Sequence, residues 1–371
     1  MTSEYFFDHI SAHFSKQLPF VVYRKPNRKG LKAFLQSDAV LFYSDDFTEK
    51  GFVFSPFDDF EKSVLIPFEK SEMISETYGS YVETETFQSI NTPNKTEKQN
   101  HIKLVKKGVD AIKHNQFKKV VLSRTETIEL SESNPLNIFK RLLSTYPSAF
   151  VYCWYHPKVG LWLGATPETL IKIEDSQFSI MALAGTQDYN GTLNVNWQEK
   201  EKQEQQYVTD FIVKNLQPSV ERLQVSDVET VKAGNLLHLK TMVSARLKSN
   251  TSLKNIIESL HPTPAVCGLP KTVAKQFILK NENYNREFYT GFLGELNMDK
   301  KVEPRSGKRN IENRAYAMKK KSTQLYVNLR CMQIKDEKAI IYVGGGITEN
   351  SNPDSEWRET QLKSLVIKNI L

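Results

Sequence analysis

The spacing of apolar residues along the chain predicts a succession of strands and helices. Apolar residues at 102, 105, 109 and 112 recur at helical intervals, and the β-branched stretch KKVVLSRTETIEL (118–130) follows as a strand. Helices are predicted around Pro135–Thr145 and from Trp197 to about Leu216. The stretches AFVYCWYH, GLWLGATPETLIKI and FSIMALAGT indicate successive strands of an antiparallel sheet, and the chain ends in a strand, a glycine-rich turn and a helix.

The order of these elements predicts the fold class. Strands and helices do not alternate strictly, so we expect an α+β fold with large antiparallel sheets rather than a doubly wound parallel sheet. Residues 1–84 predict mixed helix and short strands, and the polar residues 85–100 predict a linker or long loop. The HLKT stretch (238–241) is interpreted as the start of a helix.

Composition narrows the class of protein. The 371 residues are 39% apolar and 25% charged, which is typical of a globular protein and excludes collagen, coiled coil and wholesale disorder. No apolar run approaches the ~20 residues of a membrane span, and the first residues lack the basic and apolar regions of a signal peptide. Three scattered cysteines offer no disulfide framework or zinc spacing. We therefore expect a cytoplasmic protein without a membrane partner.

The net charge of +7 arises mostly from one segment. Residues 299–321 hold nine lysines and arginines against three acids. A charged run with glycine and proline is usually a solvated surface insertion. A polyanion-binding patch would need interleaved aromatic residues that this segment lacks, so no nucleic-acid partner is expected. Attraction of a small anionic substrate is a third interpretation.

Two predicted helices carry paired carboxylates. Glu201 and Glu204 are three residues apart, and Glu356, Glu359 and Lys363 also share one helical face. Carboxylate oxygens suit Mg²⁺, which usually takes one or two of them together with waters and substrate. Spacing alone also describes solvated helix faces, and it does not place the two helices next to each other.

Ten short stretches occur in a fixed order over roughly residues 100–371. They are KVVLSR (119–124), GATPETL (164–170), ALAGT (182–186), KEKQEQ (200–205), HLKT (238–241), LHPTPAVCGLP (260–270), REFYTGFLGEL (286–296), NLRCMQI (328–334), VGGGIT (343–348) and SEWRETQLK (355–363). This series resembles the chorismate-utilising enzymes, which include anthranilate synthase component I, aminodeoxychorismate synthase component I, isochorismate synthase and salicylate synthase.

The resemblance implies an architecture and a metal. It implies one catalytic domain over 1–371, with 1–95 as its N-terminal part and a core from about 100, built as two large sandwiched antiparallel sheets with flanking helices and a cleft between them. It also implies chorismate and Mg²⁺, with Glu204 and Glu359 as direct or water-bridged ligands and Glu201 and Glu356 as the outer pair. A cation is needed because the ring carboxylate of chorismate would otherwise meet four acids.

The attacking nucleophile separates the members of the family. The residue before VVLSR is Gln in the members that use ammonia and Lys in those that use water, and here it is Lys119. Ala184 stands where aminodeoxychorismate synthases carry a nucleophilic lysine. We therefore expect an isochorismate synthase in which Lys119 takes a proton from the water that attacks C2, and Glu168 protonates the departing C4 hydroxyl. Burial would favour the neutral form of both groups.

Other residues are expected to hold the substrate. Arg330 is expected to bind the enolpyruvyl carboxylate, and Lys363 to pair with a substrate or glutamate carboxylate. His238 is expected near the ring carboxylate, either as a hydrogen-bond donor or as a residue that positions the substrate. The remaining expected contacts are Gly185, Thr263, Tyr289, Gly345 and Gly346. We expect a monomer without an amidotransferase subunit.

Alternatives stay open at this point. Tyr289 and Leu329 resemble residues of salicylate synthases, which also eliminate pyruvate, whereas LHPTPAVCG is closer to isochorismate synthases. Gln205 stands where the family usually has His. A non-catalytic chorismate-binding relative is the third possibility. If the product is isochorismate, it would feed menaquinone or catechol siderophore synthesis, and the chain does not choose between them.

Overall fold

The computed structural model describes residues 3–79, 95–130, 132, 134–301 and 319–371. Its helices are α1 (Ser3–Ser15), α2 (Lys95–Lys113), α3 (Pro135–Thr145), α4 (Glu199–Leu216), α5 (Leu253–Leu260), α6 (Lys271–Asn281) and α7 (Pro353–Lys368). Its strands are β1 (Phe20–Arg24), β2 (Gly30–Gln36), β3 (Phe42–Ser44), β4 (Gly51–Ser55), β5 (Ser63–Pro67), β6 (Ser71–Thr77), β7 (Lys119–Glu129), β8 (Phe150–His156), β9 (Gly160–Thr166), β10 (Thr169–Glu174), β11 (Gln177–Asp188), β12 (Val220–Val225), β13 (Glu229–Ala233), β14 (Leu236–Leu247), β15 (Gly268–Leu269), β16 (Phe292–Lys301), β17 (Lys319–Val327), β18 (Cys331–Lys335) and β19 (Lys338–Ile347).

Within these residues the strands form two antiparallel sheets. Sheet A has the order β15-β7-β19-β18-β9-β8-β1-β2-β6, and sheet B has the order β12-β14-β11-β10-β17-β16-β4-β5-β3, with β13 also paired to β14. The sheets face each other through aromatic side chains: the rings of Phe150 and Tyr326 stack at 4.0 Å, and those of Tyr23 and Phe52 lie 5.1 Å apart. The expected pair of large antiparallel sheets is confirmed.

Helices cover the outer face of each sheet. Alternate residues of β2, β8 and β9 point away from the aromatic layer and pack with α1 and α3, while α4 and α5 pack on sheet B. Helices α2 and α6 pack around β7 at the end of sheet A. None of the described helices is both long and apolar enough to cross a membrane, and the three cysteines are buried and free.

Two local expectations are corrected. The HLKT stretch lies inside strand β14, because Leu236–Leu247 pairs with β11 and Leu236, Leu237, His238 and Leu239 are all buried. A buried run without polar alternation carries no periodicity that separates strand from helix. Residues 95–100 of the expected linker are the first turns of α2, whereas residues 85–94 lie outside the described part of the chain.

The ends of the basic segment 299–321 belong to one hairpin. Asp299, Lys300 and Lys301 of β16 pair with Lys321, Lys320 and Lys319 of β17. Residues 302–318, and with them most of the expected insertion, lie outside the described residues.

A buried ion pair ties the chain after α6 to strand β7. Arg286 donates to Glu282 (2.6 Å) and to the main-chain oxygens of Val121 (2.7 Å) and Val266 (3.0 Å), and both charged side chains are at most 2% exposed. Glu282 also accepts from the main-chain nitrogen of Ser123 at 2.8 Å. Each of these hydrogen bonds therefore involves the charged side chain of Arg286 or of Glu282.

We expect Arg286→Met to lower the free energy of unfolding by about 3–5 kcal/mol, because it leaves Glu282 buried without its cation. Urea unfolding measures this loss. The control Lys338→Met removes an exposed cation that pairs with Glu129, and it should leave the free energy of unfolding nearly unchanged, because exposed ion pairs are screened by solvent. A loss below about 1 kcal/mol for Arg286→Met would contradict a structural role for the pair.

Candidate active site

A cleft opens between the two sheets, with about 710 Å³ of empty space when the solvent at its mouth is included. Sheet A contributes β7 and β19, sheet B contributes β11 and β14, and helices α4 and α7 close the cleft from the side. Eleven of the sequence-predicted site residues line it: Lys119, Glu168, Gly185, Glu204, His238, Tyr289, Arg330, Gly345, Gly346, Glu359 and Lys363. Residues from widely separated parts of the chain are thus brought to one place.

Lys119 begins β7 and meets Glu204 of α4. Its Nζ lies 3.1 Å from Glu204 Oε1, and both side chains are less than one tenth exposed. Gly346 of β19 makes this contact possible, since a Cβ at that position would lie 1.8 Å from the same Glu204 oxygen and 3.1 Å from Lys119 Cε. The glycine is therefore required by the close approach of the carboxylate to the strand.

Helix α7 supplies two more carboxylates, each held by a lysine. Lys363 donates to Glu359 Oε1 (2.5 Å) and to the Gly344 main-chain oxygen (2.9 Å). Glu356 is buried behind Gly345 and accepts from Lys200 of α4 at 2.5 Å. Burial and the neighbouring Glu359 raise the pKa of Glu356 to about 7. Burial by itself would raise the pKa of Glu359, but the charges of Lys363 and Lys200 lower it.

Glu201 does not join this cluster. It lies in the first turn of α4, where its carboxylate accepts from the main-chain nitrogen of Gln198 at 3.0 Å and completes a capping box. Glu201 is absent from the cleft lining, and its side chain packs beside Gly185. Of the expected outer pair, only Glu356 turns toward the other carboxylates in this structure, and a metal contact of Glu201 stays a prediction.

Glu168 lies in the turn between β9 and β10. The main-chain nitrogen of Val327 donates to its main-chain oxygen (3.1 Å), and its own nitrogen donates to Thr166 Oγ1 (3.3 Å). Burial raises the pKa of Glu168 to about 8, while the charge of Lys119 acts in the opposite direction. A carboxyl that keeps its proton near neutral pH can serve as an acid.

His238 is placed by its contact with Gly185. Its Nδ1 lies 2.7 Å from the Gly185 main-chain oxygen, so Nδ1 carries the hydrogen that this oxygen accepts. Burial, followed by the charge of Arg330, lowers the pKa of His238 to about 3. The ring is therefore neutral, and its buried Nε2 has no partner. This nitrogen can accept from a hydroxyl or a water, and the expected role of His238 as a donor or placer of the substrate stays a prediction.

Cations and an aromatic pair form the rest of the wall. Arg330, at a left-handed φ of 49°, donates to the main-chain oxygen of Lys363 (3.4 Å) and faces the cleft. Tyr289 stacks on Tyr342 with ring centroids 5.4 Å apart. Arg330 and Lys363 give this side of the cleft donors for carboxylates.

Thr263, like Glu201 and Glu356, is a predicted residue that does not line the cleft. It is buried, and its main-chain oxygen accepts from the nitrogens of Val266 (3.1 Å) and Cys267 (3.0 Å). It shapes the turn that presents Ala265 and Val266 to the cleft, so the expected substrate contact is replaced by a structural one.

Sequence reasoning missed several residues near the cleft. The lining also includes Pro167, Leu183, Thr186 and Thr290, which lie inside the quoted motifs but were not singled out, and Tyr342, which lies outside them. Lys200 was also missed, although its position four residues before Glu204 places both on one face of α4.

The cluster has the donor chemistry of a Mg²⁺ site. Among the residues that the structure describes, no group of three acidic, histidine or cysteine side chains is positioned to hold a metal ion, since Glu204, Glu356 and Glu359 are each engaged by a lysine. Glu356 Oε2 is buried without a partner. A Cβ at Gly345 would lie 3.4 Å from this oxygen and 3.4 Å from Glu359 Oε1, so both carboxylates approach the same side of Gly345. Hard oxygen ligands and an unsatisfied buried carboxylate oxygen fit Mg²⁺.

Comparison with known proteins identifies the family. The model for "Chorismate binding enzyme" matches residues 52–309, and a second model with the same description matches residues 315–369. The chain belongs to the chorismate-binding enzyme family.

Curated relatives and solved structures agree with this family. The chain is 29% identical to the isochorismate synthase MenF of Pasteurella multocida over 72% of its length, and 28% identical to the salicylate biosynthesis isochorismate synthase of Pseudomonas aeruginosa, again over 72%. It spans 60% and 53% of the length of these two relatives. The structure of DhbC from Bacillus anthracis shares the fold, with a TM-score of 0.76, 20% identity and coverage of 95% of this chain and 96% of that one.

Glu168 should leave a signature in the pH dependence of stability. Between its ordinary pKa of 4.5 and the folded pKa of about 8, the folded state binds more protons than the unfolded state. The contribution of Glu168 to stability therefore falls as pH rises through this window. We expect Glu168→Gln to gain melting temperature relative to the unmodified protein between pH 5 and pH 8.

Thermal melts at several pH values measure this difference. Glu221→Gln, at an exposed position of β12, serves as the control. A difference between Glu168→Gln and the unmodified protein that stays constant with pH would show that Glu168 is not protonated in the fold.

Proposed function

We propose that this protein is an isochorismate synthase, which converts chorismate to isochorismate by adding water at C2 and releasing the C4 hydroxyl. The observation that carries the proposal is the placement of a buried amine, Lys119, and a carboxyl with a raised pKa, Glu168, in one cleft. Ala184 lines the same cleft, so a lysine nucleophile is missing at that position. Similarity to relatives named isochorismate synthase supports the same reaction.

The charges of the cleft suit a dicarboxylate. Arg330 presents a guanidinium whose fork of donors matches the enolpyruvyl carboxylate. Lys363 lies next to Arg330, and its ammonium is bound to Glu359 and the Gly344 oxygen. The neutral Nε2 of His238 can accept from a substrate hydroxyl. These groups orient the ring before any bond changes.

The reaction needs two proton transfers. Lys119, which pairs with Glu204 in the structure, must first release a proton to solvent. As the free amine it then takes a proton from the water whose oxygen forms the new bond at C2. The double bonds shift, the C4–oxygen bond breaks, and Glu168 gives its proton to the departing hydroxyl, which leaves as water. The proton gained by Lys119 balances the one lost by Glu168, so exchange with solvent restores both groups. Each positioned transfer contributes ~10²–10⁴ in rate.

Glu204 and Glu359 are the residues that would hold Mg²⁺ in the cleft, with Glu356 next to them. When bound, Mg²⁺ supplies positive charge between these glutamates and the ring carboxylate of the substrate. Gly345 and Gly346 leave the space in which the carboxylates approach the strand.

Salicylate synthase is the second candidate. Tyr289 and Leu329 resemble residues of salicylate synthases, and both line the cleft together with Arg330. That activity shares the first step and adds loss of pyruvate from the enolpyruvyl arm.

Product analysis tests the proposal. Purified protein with chorismate and MgCl₂ should yield isochorismate by chromatography, and turnover should stop in EDTA and return with added Mg²⁺. Salicylate and pyruvate in equal amounts would assign the second candidate. Anthranilate formed with ammonia, or unchanged chorismate, would contradict both.

Lys119 can be tested by substitution. We expect Lys119→Met to lower kcat by ~10²–10⁴, because water then lacks its base, while chorismate still binds by calorimetry. Lys118→Met changes the exposed neighbouring lysine and should leave kcat unchanged. Turnover close to that of the unmodified protein in Lys119→Met would refute the assignment of the base.

A further inference from the structure

Each of the three clustered carboxylates is bound by a different lysine. Lys119 holds Glu204 and Lys363 holds Glu359, and both of these lysines line the cleft. The third lysine, Lys200, holds Glu356 at 2.5 Å but is not part of the cleft lining. The proposed reaction gives Lys200 no role.

Lys200 lies where the cluster needs positive charge. It is the second residue of α4, one turn before Glu204, and it reaches across to Glu356 on α7. The charges of Glu356, Glu204 and Glu359 all act on its ammonium and raise the pKa of Lys200, although burial opposes this. One ammonium therefore interacts with three of the four carboxylates that were expected to surround a metal.

We propose that Lys200 is a built-in counter-cation of the glutamate cluster, which keeps Glu356 occupied in the metal-free protein and sets the affinity for a divalent cation. This inference rests on the metal site of the proposed function. Its physical basis is competition between two cations. A divalent cation at Glu204 and Glu359 would be repelled by the nearby ammonium of Lys200, and both cations would be attracted by the negative charge of Glu356. The charge of Lys200 thus prevents the cluster from repelling itself apart but weakens its hold on metal.

The matched variants are Lys200→Met, Lys200→Arg and Lys202→Met. Lys202 lies two residues further along α4 and pairs with the exposed Glu199 at 2.9 Å, so its loss controls for a lysine removed from the same helix. Lys200→Arg retains the positive charge. The Lys200 side chain is 24% exposed at the beginning of its helix, so its truncation leaves the core intact.

Binding of MgCl₂ alone, measured by calorimetry at one fixed pH without chorismate, tests the inference. We expect Lys200→Met to bind Mg²⁺ about tenfold more tightly than the unmodified protein, with Lys200→Arg and Lys202→Met within about threefold. Lys200→Met should also melt at a lower temperature in EDTA, and this difference should close in saturating MgCl₂. In a Glu356→Gln background, the gain in affinity from Lys200→Met should be smaller, because only the repulsion between the ammonium and the metal is then removed.

Unchanged or weaker Mg²⁺ binding by Lys200→Met would overturn the inference, and so would an equal loss of melting temperature with and without Mg²⁺. Absence of Mg²⁺ binding to the unmodified protein would overturn it as well. Because chorismate is left out, failure of the product assay would remove the proposed reaction and leave the result for Lys200 standing.

Discussion

Repulsion among buried carboxylates is the constraint on which the cleft depends. Glu204, Glu356 and Glu359 converge on Gly344–Gly346, which lie inside strand β19 and not in the turn expected from the sequence. Each carboxylate is nearly removed from solvent or faces the cleft. Buried carboxylates without counter-charge are costly, so the fold must supply cations or leave the groups protonated. Here Lys119 of β7, Lys200 of α4 and Lys363 of α7 supply that charge. The three ion pairs form only while the strand and the two helices keep their positions relative to one another.

Pairing between strands holds these elements in position. Strand β19 pairs with β7 from Gly346 opposite Val121 to Lys338 opposite Glu129, which places the three glycines of β19 near Lys119 at the beginning of β7. The ion pair of Arg286 and Glu282 anchors the same stretch of β7 through the Val121 oxygen and Ser123 nitrogen. Lys119, Glu168 and the carboxylate cluster thus lie on elements joined to the same two sheets, which would preorganise the proposed proton transfers.

The sequence predicted the parts of this frame that depend on local signals. Helix α3 has the predicted bounds because Asn134 caps it and a proline occupies its first turn. The pairing of Glu356 with Glu359 on one helix face was also correct. The family motifs placed Lys119 and Glu168 in one cleft, which residue spacing alone did not.

The differences between the sequence-based expectations and the structure have physical causes that residue spacing does not show. Glu201 and Glu204 share a helix face, but Glu201 lies in the first turn, where main-chain nitrogens without partners take its carboxylate. Strand β14 is buried on both faces at its start, so its pattern did not separate strand from helix. Lys200 acts across two helices that are distant in sequence, and its importance follows only from tertiary packing.

The central claim is that water, activated in this cleft, forms the new bond to the ring. Turnover of chorismate in H₂¹⁸O with mass spectrometry of the early product tests it directly. The account predicts isochorismate heavier by two mass units, with the label on the C2 hydroxyl oxygen. Unlabelled isochorismate would mean that the C4 hydroxyl migrates without exchange, which would contradict the assignment of Lys119 as the base that activates water.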